Sequence, residues 1–218
     1  LHRVVPAMFD LFVTPLVSVF VTGYLTLAAI GPVFTKLENR IITGVQALIT
    51  LPFGIGSFIM GGLYAITVVA GIHHMYTLID LGQLARYGRT YWLPLASAAN
   101  VAQGGAAFAV ALKTRDPKLR SMALPSALSA CMGITEPAIF GVNLRCFRPF
   151  LGGLAGGACG AWYASIVGLS ATGTGVTGIF GILLHLHMPL QYIIMMAISF
   201  GVSFAVTWII WKPEEVKA

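Results

Sequence analysis

Charged residues are what this sequence has least of: 9% of its 218 residues are Asp, Glu, Lys or Arg, against 57% hydrophobic. A water-soluble domain carries roughly a quarter of its residues charged, so most of this chain must face lipid or other apolar helices. The net charge of +6 would suggest nucleic acid in a soluble domain, but here the basic residues sit in short breaks between apolar runs. Cysteine is scarce too. Cys131, Cys146 and Cys159 are odd in number and no CxxC spacing pairs them, which argues against a disulfide or metal framework and reads them as packing residues. The first residues lack a basic segment followed by a short apolar core and a cleavage site, so they do not read as a secretory signal. The chain begins with Leu1 rather than Met, and it reads as part of something longer. No internal repeat or soluble-domain boundary is visible, so residues 1–218 are expected to form one partial membrane domain.

What the sequence does have is long uncharged runs. Residues 11–35 and 90–112 contain no Asp, Glu, Lys or Arg, and each is long enough to cross a hydrocarbon core of roughly 30 Å as helix. Residues 149–211 are also uncharged, which leaves room for about two or three further crossings. An all-α polytopic membrane protein with about five to seven apolar elements follows. The segment Lys113-Thr-Arg-Asp-Pro-Lys-Leu-Arg120 holds four basic residues and one acid, and the positive-inside rule places it in the cytoplasm. Lys36-Leu-Glu-Asn-Arg40 and the terminal Trp211-Lys-Pro-Glu-Glu are weaker topology signals.

Proline and glycine punctuate these runs. The first span is expected to end at Gly31-Pro32. Residues 41–70 are too long for one upright helix and are interrupted by Pro52, Gly54, Gly56, Gly61 and Gly62, so a broken or interfacial piece and then a span are predicted. The polar segment with Asp80, Arg86 and Arg89 is expected to pack on or within the protein. Two segments look unlike ordinary spans. Asn100-Val-Ala-Gln103-Gly104-Gly105 and Gly133-Ile-Thr-Glu136-Pro137 place polar and helix-breaking residues inside apolar runs, the mark of discontinuous helices or re-entrant hairpins lining a cavity. Gly152-Gly153, Gly156-Gly157 and Gly160 suggest close helix packing, and residues 171–178 a loop.

Glu136 is the only acid between Asp116 and Glu214. A carboxylate at bilayer depth costs several kcal/mol unless it is paired, solvated or occupied by a ligand. The competing reading is a structural acid paired with Arg145, Arg148 or a backbone amide. Pro137 disfavours the α region for the residue before it, so Glu136 is expected on extended chain, as at a hairpin tip. Its two acceptor oxygens suit two neighbouring hydroxyls of a sugar. His73 and His74 close an apolar segment; adjacent helical residues point about 100° apart, so at most one is expected to face a site. Metal binding has no support, because no Cys, Asp or Glu lies at ligand spacing from them. His185-Leu-His187 reads as a polar helix end. Asn100 and Gln103 fit sugar contacts and interhelical hydrogen bonds equally well.

The stretch Ala130-Cys-Met-Gly-Ile-Thr-Glu-Pro-Ala-Ile-Phe-Gly-Val-Asn-Leu-Arg145 resembles the GITEP signature of enzyme IIC permeases in the glucose superfamily of the phosphoenolpyruvate-dependent phosphotransferase system. Gly71-Ile-His73-His74 resembles that family's second marker. Ala99-Asn-Val-Ala-Gln-Gly-Gly-Ala and Leu124-Pro-Ser-Ala-Leu-Ser resemble its sucrose-type branch. The resemblance implies the substrate-binding half of an elevator-type transporter in the bacterial inner membrane. Such a protein carries a disaccharide, sucrose first, inward for phosphorylation by the phosphocysteine of a IIB partner. It also implies amino-terminal scaffold helices that make a homodimer contact, and a IIB domain, both outside this chain. Glu136 matches the family's sugar-binding glutamate and His73 its histidine, with His74 as the fallback; Thr135, Asn100 and Gln103 complete the substrate-binding candidates. None of the cysteines matches the IIB signature, so no residue here is expected to accept the phosphoryl group. No cofactor or metal is implied. Arg145 and Arg148, with the 113–120 loop, would offer the phosphorylated partner a positive surface. A proton- or ion-coupled sugar transporter using Glu136 is the alternative, and a membrane scaffold without a ligand the third reading.

Overall fold

The computed structural model describes Ala7–Pro213. It is all-helical, and three helices are long and apolar enough to cross a membrane: Pro52–Val69, Trp92–Lys113 and Pro189–Ile210. Contacts divide the chain into two compact units, residues 1–43 and 44–218. In the first, α1 (Ala7–Leu25) passes through a π-helical turn (Thr26–Ile30) into α2 (Gly31–Ile49), whose residues from Gly44 onward belong to the second unit. The first unit's shorter apolar stretch is Val13–Ala28. The helix end expected at Gly31-Pro32 does not occur. A wider, π-helical turn precedes Pro32, and with a different hydrogen-bond spacing there the proline's missing donor does not end the helix, so Lys36 and Arg40 stand exposed on α2 rather than in a break.

In the second unit the chain does break where Pro52 and Gly54 predicted, before α3 (Ile55–Val69). The polar segment is α4 (Tyr76–Tyr87), which buries Ile79, Asp80 and Gln83. The central element is α5 (Trp92–Lys113), 89% buried along its span. It runs unbroken through Asn100, Gln103, Gly104 and Gly105, against the interruption expected there. Those glycines admit neighbours instead: a Cβ on Gly104 would lie 2.8 Å from Cys131 Sγ, and one on Gly105 would overlap Ser203 Oγ.

Helix α6 (Pro117–Cys131), a π-helical segment (Pro137–Asn143) and the short α7 (Leu144–Cys146) form a hairpin, followed by α8 (Arg148–Ile166) and α9 (Pro189–Ile210). The α8 glycines pack as predicted: Gly152, Gly156 and Gly160 lie against Thr207, Ser203 and Ser199 of α9. Their smallness lets backbones approach closely where lipid offers no hydrophobic drive to association. Only 22% of the α9 span is buried, and large apolar side chains such as Ile209 (76% exposed) cover its outer face, as a lipid-facing helix requires. Lys113 Nζ donates to the Trp208 and Trp211 carbonyls, and Arg148 Nη1 to Ile210 O at 2.7 Å. Both cations therefore cap the carbonyl end of α9, which fixes the two ends of the hairpin at one end of the bundle.

Candidate functional site

From that end the hairpin climbs to the level of Asn100, the ninth residue of the 22-residue α5, and turns back. Its tip is residues 132–135. Gly133 there has φ +103, and a Cβ on it would sit 2.6 Å from Thr177 Oγ1, so glycine is required for both conformation and space. A second loop, residues 167–188, comes from the opposite end of α5. It is tied there by paired backbone bonds between Thr90 and Ala171, at 2.9 and 2.8 Å, and it includes the predicted 171–178 loop. Gly178, at φ +64, rests against Cys131 O and Gly133 N, and its carbonyl accepts from Tyr192 Oη at 2.6 Å. Asn100 joins the two tips: its Nδ2 donates to Thr177 Oγ1 at 2.9 Å and reaches Gly133 O at 3.5 Å.

Glu136 lies just past the first tip, exposed, with Thr135 buried beside it (5% exposed). Its backbone is α-helical (φ −55, ψ −44), not extended as expected. The proline restriction on the preceding residue is a bias, and here it loses to helix initiation. Pro137 occupies the first π-helical position, where its missing N–H leaves nothing unsatisfied, and a negative charge just before a helix start is favourable. The unwound chain is 132–135 instead. Among the described residues the Glu136 charge reaches the ring of His73 rather than an arginine; Arg148 is engaged at α9 and Arg145 is exposed.

His73 and His74 lie in a 3-10 turn (Ile72–Met75) that opens on Gly71 (φ +74). Contrary to the divergence expected, their rings lie against each other, with centroids 4.0 Å apart and planes 36° apart. The turn replaces a regular α-helix, so the 100° spacing does not apply. His73 is half-buried and its Nδ1 is buried without a hydrogen-bond partner. Burial, and then the neighbouring His74, hold the His73 ring below its ordinary pKa, while Glu136 pulls it upward. His73 is therefore neutral at neutral pH, able to donate from one nitrogen and accept at the other.

Gln103 is 1% exposed, and its Oε1 and backbone carbonyl accept from Asn143 Nδ2 at 2.8 and 2.9 Å. Of its two readings, the interhelical bond is the one observed. His185, fully buried, stacks on Tyr192 at 4.2 Å, and its Nδ1 donates to Gly181 O at 2.7 Å at the end of a 3-10 segment (Gly178–His185). His187 Nε2 is 3.3 Å from Ser170 Oγ. The three cysteines are free thiols. Among the described residues no group of three or more His, Cys, Asp or Glu gathers to hold a metal.

Sequence reasoning missed Asp80. It is 5% exposed, and its carboxylate accepts from Thr90 Oγ1 at 2.5 Å, from Thr174 Oγ1 at 3.0 Å and from the Leu93 backbone N–H. Burial raises its pKa and these three bonds lower it. Through Thr174 it holds the second loop, three residues from the Thr177 that bonds Asn100. The one available signal was an acid between two apolar runs, a weaker mark than Glu-Pro inside one.

Comparison with known proteins bears on this arrangement. Residues 1–157 match the family described as Phosphotransferase system, EIIC. The chain is 40% identical over 213 residues to the sucrose-specific EIIBC component of the phosphotransferase system of Salmonella typhimurium, covering 96% of the chain and 47% of the relative. It is 42% identical over 203 residues to the corresponding sucrose-specific component of Klebsiella pneumoniae, covering 92% and 44%. To the trehalose-specific EIIBC component of Bacillus subtilis it is 33% identical over 205 residues, covering 93% and 44%. It thus spans about half the length of the curated relatives it matches. No solved structure matches. With the family signature running through the Glu136 hairpin and most of the chain matched, this protein belongs to the phosphotransferase system EIIC family and is a multi-pass protein of the inner membrane.

Proposed function

We propose that this chain is the sugar-handling half of a sucrose permease of the phosphotransferase system, with Glu136 and His73 holding a disaccharide where the two loop tips meet. The observation that carries this is an exposed carboxylate with no ion pair among the described residues, close enough to His73 to act on its charge, while the His73 Nδ1 is buried without a hydrogen-bond partner there. An ionised carboxylate accepts from two hydroxyls and the imidazole adds a donor or acceptor, the complement a neutral polyhydroxyl needs. The His74 ring lies tilted against His73, Thr135 is buried next to Glu136 in the chain, and Asn100 keeps the tips together. Gln103 sets the packing of α5 against the returning strand of the hairpin.

In this reading the Glu136 hairpin and the 167–188 loop are re-entrant hairpins of the moving part of an elevator, and amino-terminal scaffold helices outside this chain make the dimer contact. Sucrose is the substrate because relatives whose names specify sucrose are the more similar ones. The phosphoryl group comes from a cysteine on a IIB domain, fused in the relatives named EIIBC. Cys131, Cys146 and Cys159 are half-buried, and none follows an asparagine. The basic 113–120 loop and Arg145 face that domain from the cytoplasm.

The test is calorimetry and uptake on the full-length protein with its IIB domain. Sucrose accumulation should require phosphorylated IIB, and Glu136→Gln should weaken binding. Accumulation in sealed vesicles driven by a pH gradient without IIB would instead establish an ion-coupled carrier.

A further inference from the structure

A groove of about 670 Å³ lies apart from the Glu136 site, where the end of α2, the start of α5 and the end of α8 come together. None of its lining residues belongs to the two tips. Its walls offer the aromatic rings of Phe53, Tyr91 and Trp162 and the polar groups of Gln46, Thr50 and Ser165, with no charged side chain.

These groups are held in place. Gln46 Oε1 accepts from Gln83 Nε2 at 3.2 Å, and Gln83 Oε1 in turn accepts from Tyr91 N at 2.8 Å. That fixes the Gln46 amide with its NH2 left as a donor. Thr50 and Ser165 spend their hydroxyl protons on the Gln46 and Ile49 carbonyls, so their oxygens face outward as acceptors. The indole N–H of Trp162 donates to Phe53 O at 2.7 Å, which orients the ring. Phe53 itself has φ +60, a region non-glycine residues avoid, and presents a ring 84% exposed. Flat aromatic faces, one amide donor, two hydroxyl acceptors and no charge are the complement of a neutral sugar: C–H faces stack on rings while hydroxyls bond the polar rim. A groove of this volume accommodates a small ligand.

Its side of the membrane follows from α5. The helix starts beside Tyr91 and ends at Lys113, at the head of the cytoplasmic basic loop, and 22 residues of helix span about 33 Å. The groove therefore opens on the outer face. We propose that it is an outer subsite that captures the same class of neutral disaccharide before it reaches Glu136. This rests on the sugar-permease reading.

Sidedness supplies the test, made on the full-length protein with its IIB domain. Gln46→Leu and Trp162→Leu should each raise the KM for uptake into intact cells about threefold to tenfold, as expected for losing one neutral hydrogen bond or one ring face. Phosphorylation of sugar supplied to the cytoplasmic face of inside-out vesicles should keep its KM in both, and Trp162→Phe should restore uptake. Equal shifts on both faces, or a fall in folded protein with unchanged uptake KM, would mean that the groove seats lipid or protein and overturn the proposal. Independently, Thr50→Cys should react with a membrane-impermeant maleimide in intact cells. Sucrose should slow that reaction at the same half-effect concentration whether position 136 is Glu or Gln. A half-effect that moves with Glu136→Gln would place the protection at the tips and overturn the subsite. If the wild-type protein takes up no sugar, it is the permease reading that fails.

Discussion

Asp80 and Glu136 are both carboxylates set among apolar segments, yet their surroundings are opposite. Asp80 is buried and accepts three bonds, from Thr90, Thr174 and the Leu93 amide, which together tie α4, α5 and the second loop. Glu136 is exposed beside His73 at the hairpin tip. A buried carboxylate fully bonded by its own chain serves the fold, whereas one with no hydrogen bond or ion pair among the described residues is, in the proposed reading, open to a guest. The rarity of acids in the sequence singles out Glu136 but leaves Asp80 within a polar segment; their partners separate the two.

The largest effect should come from Asp80→Ala, which strands two hydroxyls and a helix-start amide. We expect about 3 kcal/mol of stability lost, read as a lower unfolding temperature of the full-length protein, with Asp80→Asn losing about half as much. Weakened sugar binding at a wild-type unfolding temperature would break the contrast, because Asp80 would then act on ligand rather than fold. Next comes Glu136→Gln, the mirror image: unfolding unchanged, and sugar affinity by calorimetry reduced at least about tenfold, since charge-assisted bonds contribute about 1.5–3 kcal/mol each. Thr177→Val sharpens the comparison, because it removes the Asn100 bond that joins the tips; about 1 kcal/mol is lost, and sugar affinity should fall about fivefold. The smallest effect is with pH. His73 is held below its ordinary value, so affinity should be level from pH 8 down to about 6.5 and decline only below that. There a protonated His73 would pair with Glu136 and compete with the sugar for its oxygens. A decline beginning above that value would mean that the ring is not desolvated.

The all-helical membrane class, the long helix beginning near residue 90, the break at Pro52 and Gly54 and the small-residue packing of α8 were legible in the sequence, because each is written in consecutive or regularly spaced residues; the interruption near Glu136 was legible too, but its unwound chain is 132–135 and Glu136 itself is helical. Partnerships across the chain were not. Asn100 meets Thr177 across 77 positions and Gln103 meets Asn143 across 40, so amides that look like an interruption prove to be cross-links on an unbroken helix. Asp80 and Thr174 are 94 positions apart. Nor does the sequence reveal the wide turn that carries a helix past Gly31-Pro32, since proline's stopping effect depends on the register of the turn before it.

Gly133 and Gly178 let the two tips approach closely, Gly133 against the Thr177 side chain and Gly178 against the backbone of Cys131 and Gly133. The Asn100 amide is the shared fastening, and it belongs to the most enclosed helix of the bundle. Any twist of that rod about its own axis is therefore delivered to both tips in the same instant, without a relay of intervening residues.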